Sequence, residues 1–138
     1  MVKECALCTI PEMDEYRVLT RNSLVCSVVP WEPLKEGHVI VFPVRHILMK
    51  DLTTTESKAL ETEIIRLKEK ITRLYPAQSP LMVISDGTKD CSIPEHLHYH
   101  IVPSTKNIRV LFSIAEDVAE RQRQDEAVLA TMAEKLRE

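Results

Sequence analysis

Glycine is scarce in this chain. The 138 residues hold only two, Gly37 and Gly87, so each is expected where the backbone has little choice of residue. No excess of positive charge exists either: 18 Lys and Arg against 21 Asp and Glu leave a formal net charge of -3. That balance argues against a surface built to track a nucleic-acid backbone. No apolar run approaches the ~20 residues of a membrane span, and the chain reaches Cys5 without the apolar region of a signal peptide. A cytoplasmic protein with no membrane partner is expected. In that reducing setting, four cysteines point to metal or catalysis rather than to a disulfide framework. Repeats, low-complexity stretches and linkers are also missing, which predicts one domain over 1–138. A chain of this length buries roughly 70% of the surface it exposes when unfolded, enough to need no staples.

What is present is concentrated at 95–103, where His96, His98 and His100 alternate with Leu97, Tyr99 and Ile101. On a β-strand this spacing puts the three imidazoles on one face and the three apolar side chains on the other. A lone histidine would be read as a core or merely polar residue, but three in register point to chemistry.

The remaining elements follow from pattern. Residues 16–20 and 24–29 read as two β-branched-rich strands around Asn22. Pro30 and Pro33 then flank the single Trp31, which is either a core plug or a ring on which a base could stack. Residues 37–43 form a continuous apolar strand, expected to be central and covered on both faces, delivering His46 beyond its far end. Thr53 and Glu56 have capping-box spacing before a helix expected over 53–75. Its stripe is Leu60, Ile64, Leu67, Ile71 and Leu74, with the intervening Lys, Glu and Arg residues as a solvated face. Residues 80–84 read as a fourth strand, 108–112 as a short extra strand, and 114–136 as a helix with Val118, Val128, Leu129, Met132 and Leu136 as apolar positions. The fold class is α+β, an antiparallel sheet of about five strands with a central and a C-terminal helix packed on it.

Cys5-Ala6-Leu7-Cys8 has the C-x-x-C spacing of a zinc knuckle or a redox dithiol. No strand precedes it, so half of a zinc site is the better reading. All five histidines, His38, His46, His96, His98 and His100, lie at or within apolar strands, which suggests a single site. Cys5, Cys8, His46 and one triad histidine would complete a tetrahedral Cys2His2 set.

The run His96-Leu97-His98-Tyr99-His100-Ile101-Val102, with Gly37-His38 and Pro43-Val44-Arg45-His46 upstream, resembles the histidine-triad (HIT) superfamily of nucleotidyl hydrolases and transferases, in its zinc-binding branches. The resemblance covers about 5–103. It implies that His98 is the nucleophile toward the α-phosphate of a nucleoside phosphoramidate, a dinucleoside polyphosphate or a nucleotide sugar, through a covalent nucleotidyl-histidine. It also implies that His100 contacts the phosphate or leaving group, that Cys5, Cys8, His46 and His96 hold a structural Zn2+, and that two chains pair as a homodimer by extending the sheet. Ser92 and the backbone amides of Ser92 and Ile93 occupy the family's phosphate-contacting turn; for Ser92 the plainer reading is a turn serine.

The sequence departs from the family at several points. Ser27 stands where relatives carry a ribose-binding Asp or Asn, Ser85 where they carry an Asn, and Ser104 where an Arg often follows the terminal Pro. Asp90 and Cys91 lie beside the phosphate turn. Two other readings stand beside the enzyme, the second of them motivated by these departures. One is a catalytic zinc held jointly by His96, His98 and His100. The other is a zinc-stabilised nucleotide-binding or interaction module with little catalysis.

Overall fold

The computed structural model describes residues 5–85, 95–104 and 124–137. Five strands, β1 (Val18–Arg21), β2 (Val25–Val28), β3 (Val39–Pro43), β4 (Ser79–Ser85) and β5 (His98–Ser104), form one antiparallel sheet in the order β1-β2-β3-β5-β4. Among the described residues three α-helices accompany it: α1 (Ala6–Met13), α2 (Thr54–Leu74) and α3 (Glu126–Arg137). The expected α+β architecture is therefore present. None of the described helices is long and apolar enough to cross a membrane.

The β1–β2 turn is set by Asn22, whose Oδ1 accepts from the amides of Leu24 and Val25 at 2.9 Å each. Such a side chain mimics the backbone acceptor of a turn and tightens it. Strand β3, buried at every position, is the middle of the sheet. It can be so apolar because both its faces are covered. Leu19, Val25, Val39, Val41, Leu97 and Ile101 pack under α2 (Leu60, Ile64, Leu67, Ile71) and α3 (Leu129, Met132, Ala133, Leu136). Cys26, Val28, Ile40 and Phe42 face the other way, against Cys5, Leu7 and Ile10. Each fully buried Leu, Ile or Phe contributes about 1.5–3 kcal/mol.

Helix α1 was not expected from the sequence. It is eight residues long and carries Pro11 in its interior, a residue that argues against helix by pattern. Tertiary packing overrides that signal, because Leu7 and Ile10, three residues apart, both bury against the sheet. Residues 16–17 belong to a 3-10 turn (Glu15–Arg17) rather than to the first strand. Val128, expected on the buried face of the last helix, is 42% exposed. The extra strand at 108–112, Val118 and Gly87 lie outside the described residues.

Gly37 meets its expectation. Its φ is +93°, and a Cβ there would lie 2.7 Å from Tyr75 Cε2 and 2.8 Å from Pro103 Cγ, so both conformation and space require glycine.

The solvated-face reading of α2 needs one correction. Glu56 and Glu63 are only 2% and 5% exposed. Both are buried because both are paired. Arg45 grips Glu56 with Nε and Nη2 at 2.7 Å each, while the Thr53 amide donates to Oε1 at 3.0 Å and Thr53 Oγ1 accepts from the Glu56 amide at 3.1 Å, completing the capping box. Glu63 accepts from Arg66 Nε at 2.8 Å and from the Ser27 hydroxyl. The Arg45 guanidinium holds the Glu56 carboxyl down to about 2. Burial pushes Glu63 up, but bonds from Arg66, Ser27 and Thr20 outweigh it and leave it below the ordinary value.

Groups whose folded pKa is depressed contribute stability that is present above the unfolded value and lost as pH falls toward the folded one. Denaturation midpoints are therefore expected to drop between about pH 4.5 and 2, and Glu56→Gln to lessen that slope. An equal slope in the variant would remove Glu56 from the cause.

Candidate active site and metal centre

The histidine strand places its rings as the alternation predicts. Leu97 and Ile101 enter the core beneath α2, with Tyr99 packed against it, while His98 and His100 lie on the opposite sheet face. Just before β5, Glu95 adopts a positive φ of 59°, and the Leu97 amide donates to Ile47 O at 2.9 Å, tying the entry of the strand to the segment after β3.

The hydrogen bonds fix which ring nitrogen carries the proton in each neutral imidazole. His98 Nδ1 lies 2.8 Å from the His96 carbonyl, so it is the N–H donor and Nε2 keeps its lone pair. Among the described residues no hydrogen bond uses that Nε2. Burial, with the ring 2% exposed, pushes His98 below the ordinary imidazole value and the carbonyl contact opposes it.

A second chain of bonds runs through His38. The Leu34 amide donates to His38 Nδ1 at 3.0 Å, which leaves the His38 proton on Nε2, 2.9 Å from His100 Nδ1. His100 Nδ1 is then the acceptor, and its own proton sits on Nε2. His98 and His100 stand edge to face with centroids 5.1 Å apart. An imidazole lone pair and an imidazole N–H donor thus lie side by side. In the sequence His38 is marked only by its place among the five histidines, immediately before the apolar strand; its bond to His100 comes with the β3–β5 pairing.

Beside this pair is a second grouping. Cys5 is the N-cap of α1 and Cys8 lies three residues on, so both thiols project from the helix start toward the exit of β3 and the entry of β5. Cys5 Sγ lies 3.3 Å and Cys8 Sγ 3.6 Å from His96 Nδ1, and Cys8 Sγ lies 3.4 Å from His46 Nδ1. The four ligand atoms all fall within 4.8 Å of one another. A tetrahedron with metal–ligand bonds of 2.0–2.3 Å has edges of about 3.3–3.8 Å, the range of these three separations. His96 Nε2 lies 2.8 Å from Pro43 O, which makes Nε2 the donor and turns the Nδ1 lone pair toward the cysteines. Burial is the main cause that pushes the Cys5 thiol up to about 11 and the His96 imidazole down to about 4. The low value suits a neutral imidazole ligand, and a bound cation lowers a coordinating thiol in turn. The cluster suits a metal ion in both chemistry and spacing.

The structure does not group the triad around one ion. His96 Nδ1 faces the cysteines, His98 Nδ1 the His96 carbonyl and His100 Nδ1 its partner His38, which corrects the jointly held catalytic zinc weighed from the sequence. Ser85 pairs directly with His98 across β4 and β5 and shares its face. Ser27 does not join the site. It lies on the α2 face of β2, fully buried, with its hydroxyl on Glu63, so a ribose contact does not agree with its placement. Ser92, Ile93, Asp90 and Cys91 lie outside the described residues. Trp31 packs against the core with the Arg17 guanidinium 4.7 Å from its ring centre, which favours the core plug over the stacking platform.

A family model described as "Protein similar to CwfJ C-terminal" matches residues 1–117. The chain belongs to this family. Its sheet and helices share the fold of solved histidine triad proteins. Among curated proteins, this CwfJ C-terminal-like chain is 32% identical over 91 residues to the asymmetrical bis(5'-nucleosyl)-tetraphosphatase of Schizosaccharomyces pombe, covering 65% of this chain and 50% of that protein. It is 34% identical over 101 residues to the AP-4-A phosphorylase of Mycobacterium tuberculosis, covering 68% and 50%. The chain spans about half the length of these curated relatives. A solved zinc-bound histidine triad family protein from Mycobacterium smegmatis superposes with a TM-score of 0.68 at 18% identity, over 96% of this chain and 92% of that one, a likeness of fold.

Proposed function

We propose that the chain is a hydrolase or transferase acting at the α-phosphate of a nucleotide-type substrate through a covalent nucleotidyl intermediate on His98. The observation that carries this reading is the tautomer pattern, in which His98 Nε2 keeps its lone pair beside the N–H of His100. In the first step Nε2 bonds to phosphorus while the bond to the leaving group breaks. The electron pair goes to the leaving atom, whose charge the His100 N–H meets. In the second step water or another acceptor bonds to phosphorus, the P–N pair returns to Nε2, and the acceptor's proton leaves to solvent. The Nδ1–H on the His96 carbonyl holds the ring in one orientation throughout. Ser85, directly across from His98, is placed to meet a phosphate oxygen.

The names of the two curated relatives favour dinucleoside polyphosphates over phosphoramidates or nucleotide sugars as the first substrate class to try. Zinc is the ion proposed for the Cys2His2 cluster, in keeping with its donor set and with the zinc-bound neighbour. Such an ion supplies rigidity, joining α1 to both strand ends and leaving His98 uncoordinated. A homodimer across β4 is part of the same proposal. Among the described residues that strand ends the sheet, and it exposes Met82 and Ile84, at 41% and 46%, beside which a second β4 would pack.

The test is a substrate panel on the full chain with the oligomer mass measured in parallel. Turnover of diadenosine polyphosphates and a species of twice 15.8 kDa are expected. Tight nucleotide binding with no turnover in any class would support the binding module instead, and a monomer at assay concentration would remove the dimer.

A further inference from the structure

Three of the four cluster ligands have local support: Cys5 and Cys8 sit at the start of α1, and His96 is braced by its Nε2–H on Pro43 O. His46 lies instead in the irregular segment between β3 and the 3-10 turn Met49–Asp51. The ends of that segment are tied by backbone bonds, Val44 N to Leu24 O and Leu97 N to Ile47 O, each 2.9 Å. Between those ties Arg45 reaches the N-terminus of α2. Its Nε and Nη2 take the two oxygens of Glu56 at 2.7 Å each, and Nη2 also donates to Asp51 O at 3.2 Å. Glu56 is itself fixed from behind by the capping box with Thr53. A guanidinium held in a two-point fork has a fixed plane as well as a fixed position, which a single-point ion pair does not give.

We infer that Arg45 and Glu56 are positioning residues for the metal centre, holding the backbone beside His46 so that Nδ1 reaches the cysteines. This rests on the metal-binding reading above. The Arg45 side chain is 53% exposed, so its removal takes away the tie without opening the core. Loss of an outer group that hydrogen-bonds a metal ligand lowers affinity by about 10–100-fold, and a support one residue along the backbone is placed at the low end of that range.

The experiment uses the full chain, with Zn2+ affinity read by competition against a chromophoric chelator and Co2+ absorption reporting the ligand geometry. Arg45→Ala and Glu56→Gln are each expected to weaken Zn2+ binding by about 10-fold or more and to change the Co2+ bands. The double variant should lose less than the product of the two, because the residues act as one unit. Arg45→Lys keeps the charge without the fork and should fall between wild type and alanine; it also carries the test if the alanine variant does not fold. Lys135→Ala, which removes a distant surface pair with Glu36, should bind as wild type. Variants that lose stability without zinc but keep wild-type affinity and Co2+ spectrum would overturn the inference and leave the metal centre standing. Wild-type protein that binds no Zn2+ would overturn both.

Discussion

His98→Ala is expected to abolish turnover and the nucleotidyl adduct together, with a rate loss on the order of 10^4-fold or more, as befits removal of a nucleophile. The size follows from the proposed two-step route: without the imidazole, the single hard displacement by water is all that remains. His100→Ala should retain the adduct and slow its formation by about 10^2–10^4-fold, since it removes a donor and not the attacking atom. The folded structure has little reason to fail in either variant. His100 is part-buried, and His98 makes its one described hydrogen bond to a backbone carbonyl. His98→Ala turnover equal to wild type, measured as kcat/KM on the best substrate of the panel, would remove the nucleophile assignment.

The second large effect concerns the metal. One zinc per chain is expected, retained by His98→Ala and His100→Ala and lost on Cys5→Ala or Cys8→Ala. Such an ion would join α1, the exit of β3 and the entry of β5, so its loss would free Leu7 and Ile10 from the sheet and loosen His96, whose carbonyl holds the His98 ring. A cost of about 3 kcal/mol, and a fall in Tm of about 10 °C, is a reasonable scale for removing a structural ion from a domain that also has a large apolar core. Chelation of the wild-type protein should reproduce the fall, and added Zn2+ should reverse it. Zinc content that follows His98 rather than Cys5 would contradict the ligand set.

The sequence disclosed whatever depends on local rules. Alternation put the imidazoles on one face, the Thr53–Glu56 spacing marked the start of α2, and an unbroken apolar run marked β3 as central. Gly37 was legible as a forced position, although its two crowding neighbours, Tyr75 and Pro103, were not. What stayed hidden depends on partners distant in sequence. Glu56 and Glu63 read as solvated because the pairing of Glu56 with Arg45 and the bond of Ser27 to Glu63 span 11 and 36 residues; only the Arg66 partner of Glu63, three residues on, is local. The face on which Ser27 lies follows from strand register, which places it in a row with Thr20 and Val41 beneath α2. The His38–His100 bond joins residues 62 apart and waits on the β3–β5 pairing. Helix α1 was invisible because Pro11 speaks against it and only burial against the sheet outweighs that preference.

Trapping the protein during turnover probes the proposed nucleophile most directly. The wild-type chain is quenched with a diadenosine polyphosphate, digested under conditions that preserve phosphoramidate bonds, and mapped by mass spectrometry. A nucleoside monophosphoryl group on His98, absent at zero time and lost as substrate runs out, is the predicted result. Steady turnover with the label on another residue, or with residue 98 unmodified at every time point, would contradict it.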